Sequence, residues 1–259
     1  ILKDGNSVTD QSGNSNNFTV AGGSLTKTED CPSDVFCTYN RNCNLNSSNE
    51  LENGNTTQRQ SSEVGQRQAI GTLGAKKGKY YAEFKMGNIG SNVGGSYPYV
   101  GVVLINSYIN NTYLGNNGIA MHPGGNIYRL ASVIDNQTSI TYTTGDIVSV
   151  ALDVDNMKVH YRVNGGTWLA SGDPANNTGG YDISSFHTNS YGPTYNDDFL
   201  TFATSVYNNN GEWNANFGNG YFKTTAVSSA GTNASGIGIF EYDVPAGFTA
   251  LSTKGLNSF

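Results

Sequence analysis

The sequence predicts an all-β protein, a two-sheet antiparallel β-sandwich with an extended amino-terminal arm. Three observations carry that expectation. Charged residues make up 13% of the 259-residue chain, where ~25% is usual. Gly (33) and Asn (34) are abundant while Lys, Glu and Arg are scarce, so turns have their residues and long solvent-facing helices lack theirs. Several runs alternate apolar and polar residues at the period of a strand.

Residues 1–68 read as a polar arm, followed by a sandwich over 69–259. The stretch 10–18 is turn-rich, and 40–60 is rich in Asn, Ser and Thr with few apolar residues. Two short strands are expected in the arm, at 18–20 and 35–39. Ordering a residue costs about 1–2 kcal/mol of backbone entropy. The arm therefore has to bury Phe18, Leu25, Val35, Phe36, Tyr39 and Leu45 against the sandwich or a neighbouring subunit.

The sandwich follows strand by strand. Tyr80, Ala82, Phe84 and Met86 alternate with Lys79, Tyr81, Glu83 and Lys85, which predicts a half-buried strand. Residues 99–105 are almost continuously apolar, as in a strand covered on both faces. In 147–154, Val148, Val150, Leu152 and Val154 share one face. In 158–163, Val159, Tyr161 and Val163 point inward and Lys158, His160 and Arg162 outward. Asp155 and Asn156 between them make a tight reversal, so the two strands form a hairpin. Further strands are expected at 118–121, 126–130, 137–142, 200–207 and 212–217. Short strands with Gly/Asn turns at this spacing point to a sandwich rather than a parallel sheet.

The net charge of −6 argues against a general nucleic-acid binder and against adhesion to anionic lipid by charge. Lys76, Lys77 and Lys79 are a short basic cluster that reads as a solvated strand entrance. No apolar run approaches the ~18 residues of a membrane span, so no membrane insertion is expected. The chain opens on Ile1 without a signal-peptide pattern, as expected of a processed product, a fragment or part of something longer. Cys31, Cys37 and Cys43 are odd in number, leaving free thiols, one local disulfide, or metal and intermolecular bonding open.

Four motifs occur in the order found in one family. Residues 145–165 carry a Gly-Asp pair, an apolar strand ending in Asp153, a turn, and a strand ending in Asn164-Gly165. This resembles the core of a SPRY domain. Residues 78–84 resemble that family's earlier G-K-x-Y-x-E strand. Asn216, Phe217, Gly218 and Phe222 resemble its N-F-G-Q-x-x-F element, with Asn219 in place of Gln. Residues 245–257 are similar to the P-x-G-F-x-A-L…N-L ending of SPRY-like domains in phage fibre and virion proteins, and 10–19 resemble an opening seen before such domains. The resemblance covers 69–257 and, more loosely, the arm. It implies a concanavalin-like jelly-roll sandwich and recognition without chemistry. It further implies a bacteriophage virion protein at the particle surface, with other virion proteins and further copies of itself, a trimer, as partners.

Catalytic signatures are lacking. There is no G-x-S-x-G, H-E-x-x-H or P-loop. His122, His160 and His187 fall in different predicted elements, and His160 reads as a solvated strand residue. Glycoside cleavage needs paired carboxylates. Asp153 with Asp155 and Glu241 with Asp243 lack a third carboxylate at the offset of concanavalin-like glycosidases, and in SPRY-like chains Asp153 ties its turn. An EF-hand loop from Asp153 fails at Lys158 and Asn164. Asp197 and Asp198 read as loop solvation. No catalytic residue, metal or cofactor is expected.

The loops carry the binding signal. Trp168, Asn176, Asn177, Tyr181, Asp182, Tyr191, Tyr195 and Asn196 lie between Gly165 and Phe199, with Tyr97 and Tyr113 in earlier connections. A ring stacks on the apolar face of a pyranose while amides and carboxylates read its hydroxyls. The expected ligand is a host-surface glycan. The same rings also serve as loop anchors or as adaptable protein contacts, and the resemblance favours a structural role for Trp168. A purely structural particle subunit is the rival reading, and a glycan-active enzyme a third.

Overall fold

The computed structural model describes residues 9–10, 12–17, 19, 21, 31, 33–43, 49–61, 65–90, 98–106, 113–188, 199–207 and 210–259. Side chains are described at all of these except Cys43, His187 and Thr188. Two antiparallel sheets face each other across one apolar core, as the sequence predicts.

The larger sheet contains β1 (Asn49–Glu52), β2 (Thr57–Gln60), β4 (Lys79–Asn88), β9 (Ile147–Asp153), β10 (Lys158–Val163), β11 (Tyr181–Asp182) and β13 (Glu212–Asn216), in the order β1-β2-β13-β4-β9-β10-β11. The smaller contains β3 (Gln66–Ile70), β5 (Tyr99–Leu104), β6 (Gly118–Met121), β7 (Asn126–Arg129), β8 (Ser132–Asn136) and β12 (Leu200–Tyr207), in the order β3-β12-β5-β6-β7-β8. A short hairpin, β14 (Tyr221–Phe222) and β15 (Thr225–Ala226), stands apart. β16 (Thr249–Ala250) runs parallel to the start of β4, pairing Tyr80 and Tyr81, where β13 no longer reaches. One four-residue α-helix, α1 (Thr253–Leu256), is present among the described residues, capped by the Ser252 side chain.

The core lies between the sheets. Tyr80, Ala82, Phe84 and Met86 of β4 and Val148, Val150 and Leu152 of β9 meet Val100 and Val102 of β5 and Phe202 and Val206 of β12. Trp213, Phe217 and Tyr39 complete it, and Tyr39 meets Phe217 edge-on at 5.5 Å. Val159 and Tyr161 point into this core, as their alternation predicts.

Several expectations need correction. The boundary expected after Gln68 falls inside β3, and the stretch read as an irregular arm supplies β1 and β2. These strands are polar because amides satisfy them. Gln58 Nε2 donates to Asn49 Oδ1 (3.0 Å) and to the Arg67 carbonyl (2.9 Å), and Thr204 Oγ1 bonds Gln58 Oε1 (2.7 Å) and the Tyr39 hydroxyl (2.8 Å). Thr57 Oγ1 donates to Asn214 Oδ1 (2.8 Å). Residues 35–39 make single bridges, Phe36 to Ser252 and Tyr39 to Gly71, rather than a strand. Phe36 and Tyr39 are buried but Val35 is exposed. The strand expected at 18–20, and Phe18, Leu25 and Leu45, lie outside the described residues. Phe36, Tyr39 and Leu51 are thus buried within the chain itself.

The expected strand 137–142 is absent. β7 instead turns directly into β8 through Leu130 and Ala131, both at positive φ (49° and 70°). Such a two-residue turn normally takes Asn or Gly, so its sequence conceals it. The β9–β10 reversal spans 154–157 and closes with Met157 at φ 51°. β4 is buried on both faces rather than half-buried, because 237–250 covers its outer side, where Tyr81 packs on Phe240 at 4.9 Å. Cys31 and Cys37 are free thiols, and burial pushes the Cys37 thiol up to about 11.

Candidate functional site

Of the loop residues singled out, Tyr97, Tyr191, Tyr195 and Asn196 lie outside the described residues. The other six fall in separate places. Tyr181 belongs to the core, its hydroxyl on Asp135 Oδ2 at 2.8 Å. Asp182 accepts from Ser184 N (2.8 Å) and Oγ (3.0 Å), and its carbonyl takes Arg129 Nη1 (2.8 Å). Together these close one flank of the sandwich. Asn176 donates to Asp173 Oδ2 (2.7 Å), and the Asn177 carbonyl accepts Lys158 Nζ (3.0 Å). Trp168 packs on the outer face of the larger sheet, with the Arg162 guanidinium 4.5 Å over its ring. Tyr113 lies on the opposite side of the molecule, against the outer face of the smaller sheet. Trp168 and Tyr113 therefore do not form one site.

Around Tyr113 the structure builds a patch that the sequence hides. Register carries Tyr99 of β5, Tyr128 of β7 and His122 just beyond β6 to neighbouring positions on the outer face of the smaller sheet. Tyr113 stacks on Tyr99 (5.1 Å, 28° between planes), and Tyr128 meets Tyr99 (5.6 Å) and Tyr113 (5.8 Å) edge-on. His122 stands 5.3 Å from Tyr99 and 6.0 Å from Tyr128. Tyr99 is buried beneath, while Tyr113, Tyr128 and His122 are half-exposed. Leu114 and Gly115, at the start of the short turn Leu114–Asn116, are buried beside them and fix the approach of Tyr113.

The patch carries no charge at neutral pH. Burial lowers the His122 imidazole to about 4, and its Nδ1 accepts from Gly124 N (2.9 Å). Burial, then the neighbouring Tyr128, raises the Tyr113 hydroxyl. Flat, uncharged and half-exposed rings are the surface on which a pyranose stacks.

The carboxylates considered for catalysis are engaged in holding the fold. Asp153 is fully buried, paired with Lys79 (3.0 Å), and accepts Asn156 N (2.9 Å) and Nδ2 (2.8 Å). Asp155 accepts Gly78 N (2.7 Å). Asp243 takes Thr232 N and Oγ1 (both 2.7 Å), and Glu241 takes Ser228 N (2.6 Å) and the Ser228 hydroxyl. No group of three or more His, Cys, Asp or Glu side chains able to hold a metal occurs among the described residues.

The outer face of the larger sheet is polar yet covered. Buried Glu83 accepts from Glu241 N (2.7 Å), Tyr242 N (2.8 Å) and the Tyr81 hydroxyl (2.9 Å). Arg162 Nη2 donates to Tyr81 (3.2 Å) and to the Asp243 carbonyl. His160 and Arg162, expected in solvent, lie beneath 164–180 and 240–244 and are buried. Alternation places them on the outward face correctly but says nothing about what covers it.

No protein-family model and no curated protein sequence matches the chain. Among solved structures, it is similar to the SPRY domain of human HERC1, with 16% identity, 68% of this chain and 96% of that one covered, and a TM-score of 0.48. A human SPRY domain is similar at 16% identity over 64% of this chain and 92% of its own, with a TM-score of 0.41.

Proposed function

We propose that this chain is a non-enzymatic recognition subunit displayed on a bacteriophage particle, a fibre or appendage protein that adheres to a host-surface glycan through Tyr113, Tyr128 and His122. The observation that carries the reading is the uncharged, half-exposed cluster of those rings over buried Tyr99. The phage setting rests on the opening and closing sequence motifs. A single stacked ring contributes on the order of 1 kcal/mol, so one site is weak. Several copies on one fibre, a trimer in this reading, raise the apparent affinity through effective concentration.

The test is binding of host-envelope polysaccharide, measured by calorimetry, with reducing-end release followed in the same samples. Tyr113→Ala together with Tyr128→Ala is expected to weaken binding at least tenfold, with melting checked in parallel, while Trp168→Ala leaves affinity within twofold. Release of oligosaccharide would revive the enzyme reading. Tight binding untouched by the paired change would move the site elsewhere. A shell or shaft lattice that buries these rings against other virion chains would make the subunit purely structural. Light scattering decides the trimer.

A further inference from the structure

His160 is a buried titratable group for which the proposed glycan site has no use. It stands on the outer face of β10, opposite Ala151 of β9. Its exposure is 0%, and neither Nδ1 nor Nε2 has a hydrogen-bond partner. The loop 164–180 lies over it. A Cβ on Gly180 would overlap the ring, and one on Gly172 would stand 3.0 Å from Nδ1, so two glycine backbones form the lid. Trp168 meets the ring edge-on at 6.3 Å.

The charged groups that face it come from every element packed around it: Lys158 on β10, Asp153 on β9, Lys79 on β4 and Asp173 in the loop. Lys79 is held by Asp153 (3.0 Å), Lys158 by the Asn177 carbonyl (3.0 Å), and Asp173 by Asn176. The cations and carboxylates largely offset each other. Burial, the largest influence, then Lys158, holds the imidazole down to about 4. A neutral ring is tolerated there. An imidazolium adds a charge and a second N–H donor, with no acceptor facing either nitrogen.

We propose that His160 is a proton-operated latch: when the ring takes up a proton, the loop 164–180 lifts from the outer face of the larger sheet and uncovers Trp168 and Arg162. The loop is the element that yields. β10 is paired along β9 and also holds β11, whereas the loop is pinned at Leu169, which bonds the Tyr161 carbonyl (2.8 Å) and packs in the core, and by Lys158 on Asn177, so the stretches on either side of Leu169, carrying Trp168 and residues 172–180, are the parts that lift. Ala170 and Ser171 sit in the left-handed region (φ 53° and 50°), a conformation costly for residues with a Cβ, and lifting relieves it.

Two-dimensional NMR on the intact chain tests the latch, because the chain has two tryptophans. Trp213 is buried in the core, its indole N–H on the Ser205 carbonyl (3.2 Å), and serves as the internal control. Between pH 7 and 4 the Trp168 indole signal is expected to shift with the same midpoint as the His160 ring protons, while Trp213 stays. His160→Leu, which cannot take up a proton, is expected to leave Trp168 unmoved over the same range. A Trp168 signal that ignores pH, one that shifts as much in the Leu variant, or one that moves together with Trp213 overturns the proposal. Because Trp168 stands 6.3 Å from the His160 ring and would feel its charge in any case, exchange of the Trp168 indole N–H with solvent is read as well: exchange that speeds up with the His160 midpoint in the unaltered chain supports lifting even if the Leu variant folds poorly, and exchange that stays constant overturns it. Glycan binding at Tyr113 is a separate measurement, unaffected by either outcome.

Discussion

A chain that begins at Ala69 is expected to show no cooperative melting transition, whereas the whole chain shows one. The shorter chain loses β1, β2 and most of β3, that is, one end of the larger sheet and one edge of the smaller. It also loses Phe36, Cys37, Tyr39 and Leu51 from the buried clusters. The polar layer matters as much. Thr204, Asn214 and Asn117 each bond a side chain from 39–68 and are buried, so each is left without that partner. An unmet buried polar group costs about 1–3 kcal/mol, and domains hold only about 5–15 kcal/mol in all. A milder probe is Gln58→Leu in the whole chain, which takes one hydrogen bond each from Thr204, Asn49 and the Arg67 carbonyl at once. It is expected to cost about 3 kcal/mol, or roughly 10 °C in melting temperature for a chain of this size. Calorimetry reads both. A chain from Ala69 that melts sharply at the original temperature would show that the first 68 residues are an appendage.

The strands that sequence reasoning located are those whose burial is apolar. β9, β10 and β12 advertise themselves through apolar residues at period two, and β5 through an almost continuous apolar run. β1 and β2 do not, because Asn49, Thr57 and Gln58 are buried through amide and hydroxyl bonds, which leave no hydrophobic period. The β7–β8 turn hides for a different reason, since Leu130 and Ala131 adopt positive φ without being Gly or Asn. The candidate site is less legible still. Tyr113 is visible as a loop aromatic, but Tyr99, His122 and Tyr128 become its neighbours only through the register of β5, β6 and β7. Outward alternation of His160 and Arg162 was readable. Their burial depended on chain returning from the 164–180 loop and from the carboxy-terminal segment, which no local pattern reports.

Glu83→Gln is expected to lower the melting temperature by roughly 10 °C and to open residues 228–248 to protease. Both carboxylate oxygens accept. Oε1 takes the Tyr81 hydroxyl (2.9 Å) and Tyr242 N (2.8 Å), and Oε2 takes Glu241 N (2.7 Å). An amide turned either way sets its own N–H₂ against a buried donor. At about 1–3 kcal/mol for each group stranded, the loss is on the order of 3 kcal/mol. The pH dependence separates this anchor from the His160 latch. Burial pushes the Glu83 carboxyl up to about 7, against the pull of the two backbone N–H groups. With a folded value above its ordinary 4.5, its contribution to stability is fully present below pH 4.5 and is lost as pH rises through about 7. His160 has the opposite sign. Its folded value of about 4 lies below the ordinary 6.5, so its contribution is present above pH 6.5 and is lost as pH falls toward 4. Between 4.5 and 6.5 the two slopes oppose one another in the unaltered chain. In Glu83→Gln the slope of His160 remains, together with that of His122, which burial also lowers to about 4, so the gap in melting temperature between the two proteins, which reads Glu83 alone, is expected to widen as pH falls from 7 to 4.5. A constant gap over that range would mean that Glu83 stays ionised in the fold, and no gap at any pH would mean that it does not hold the carboxy-terminal segment.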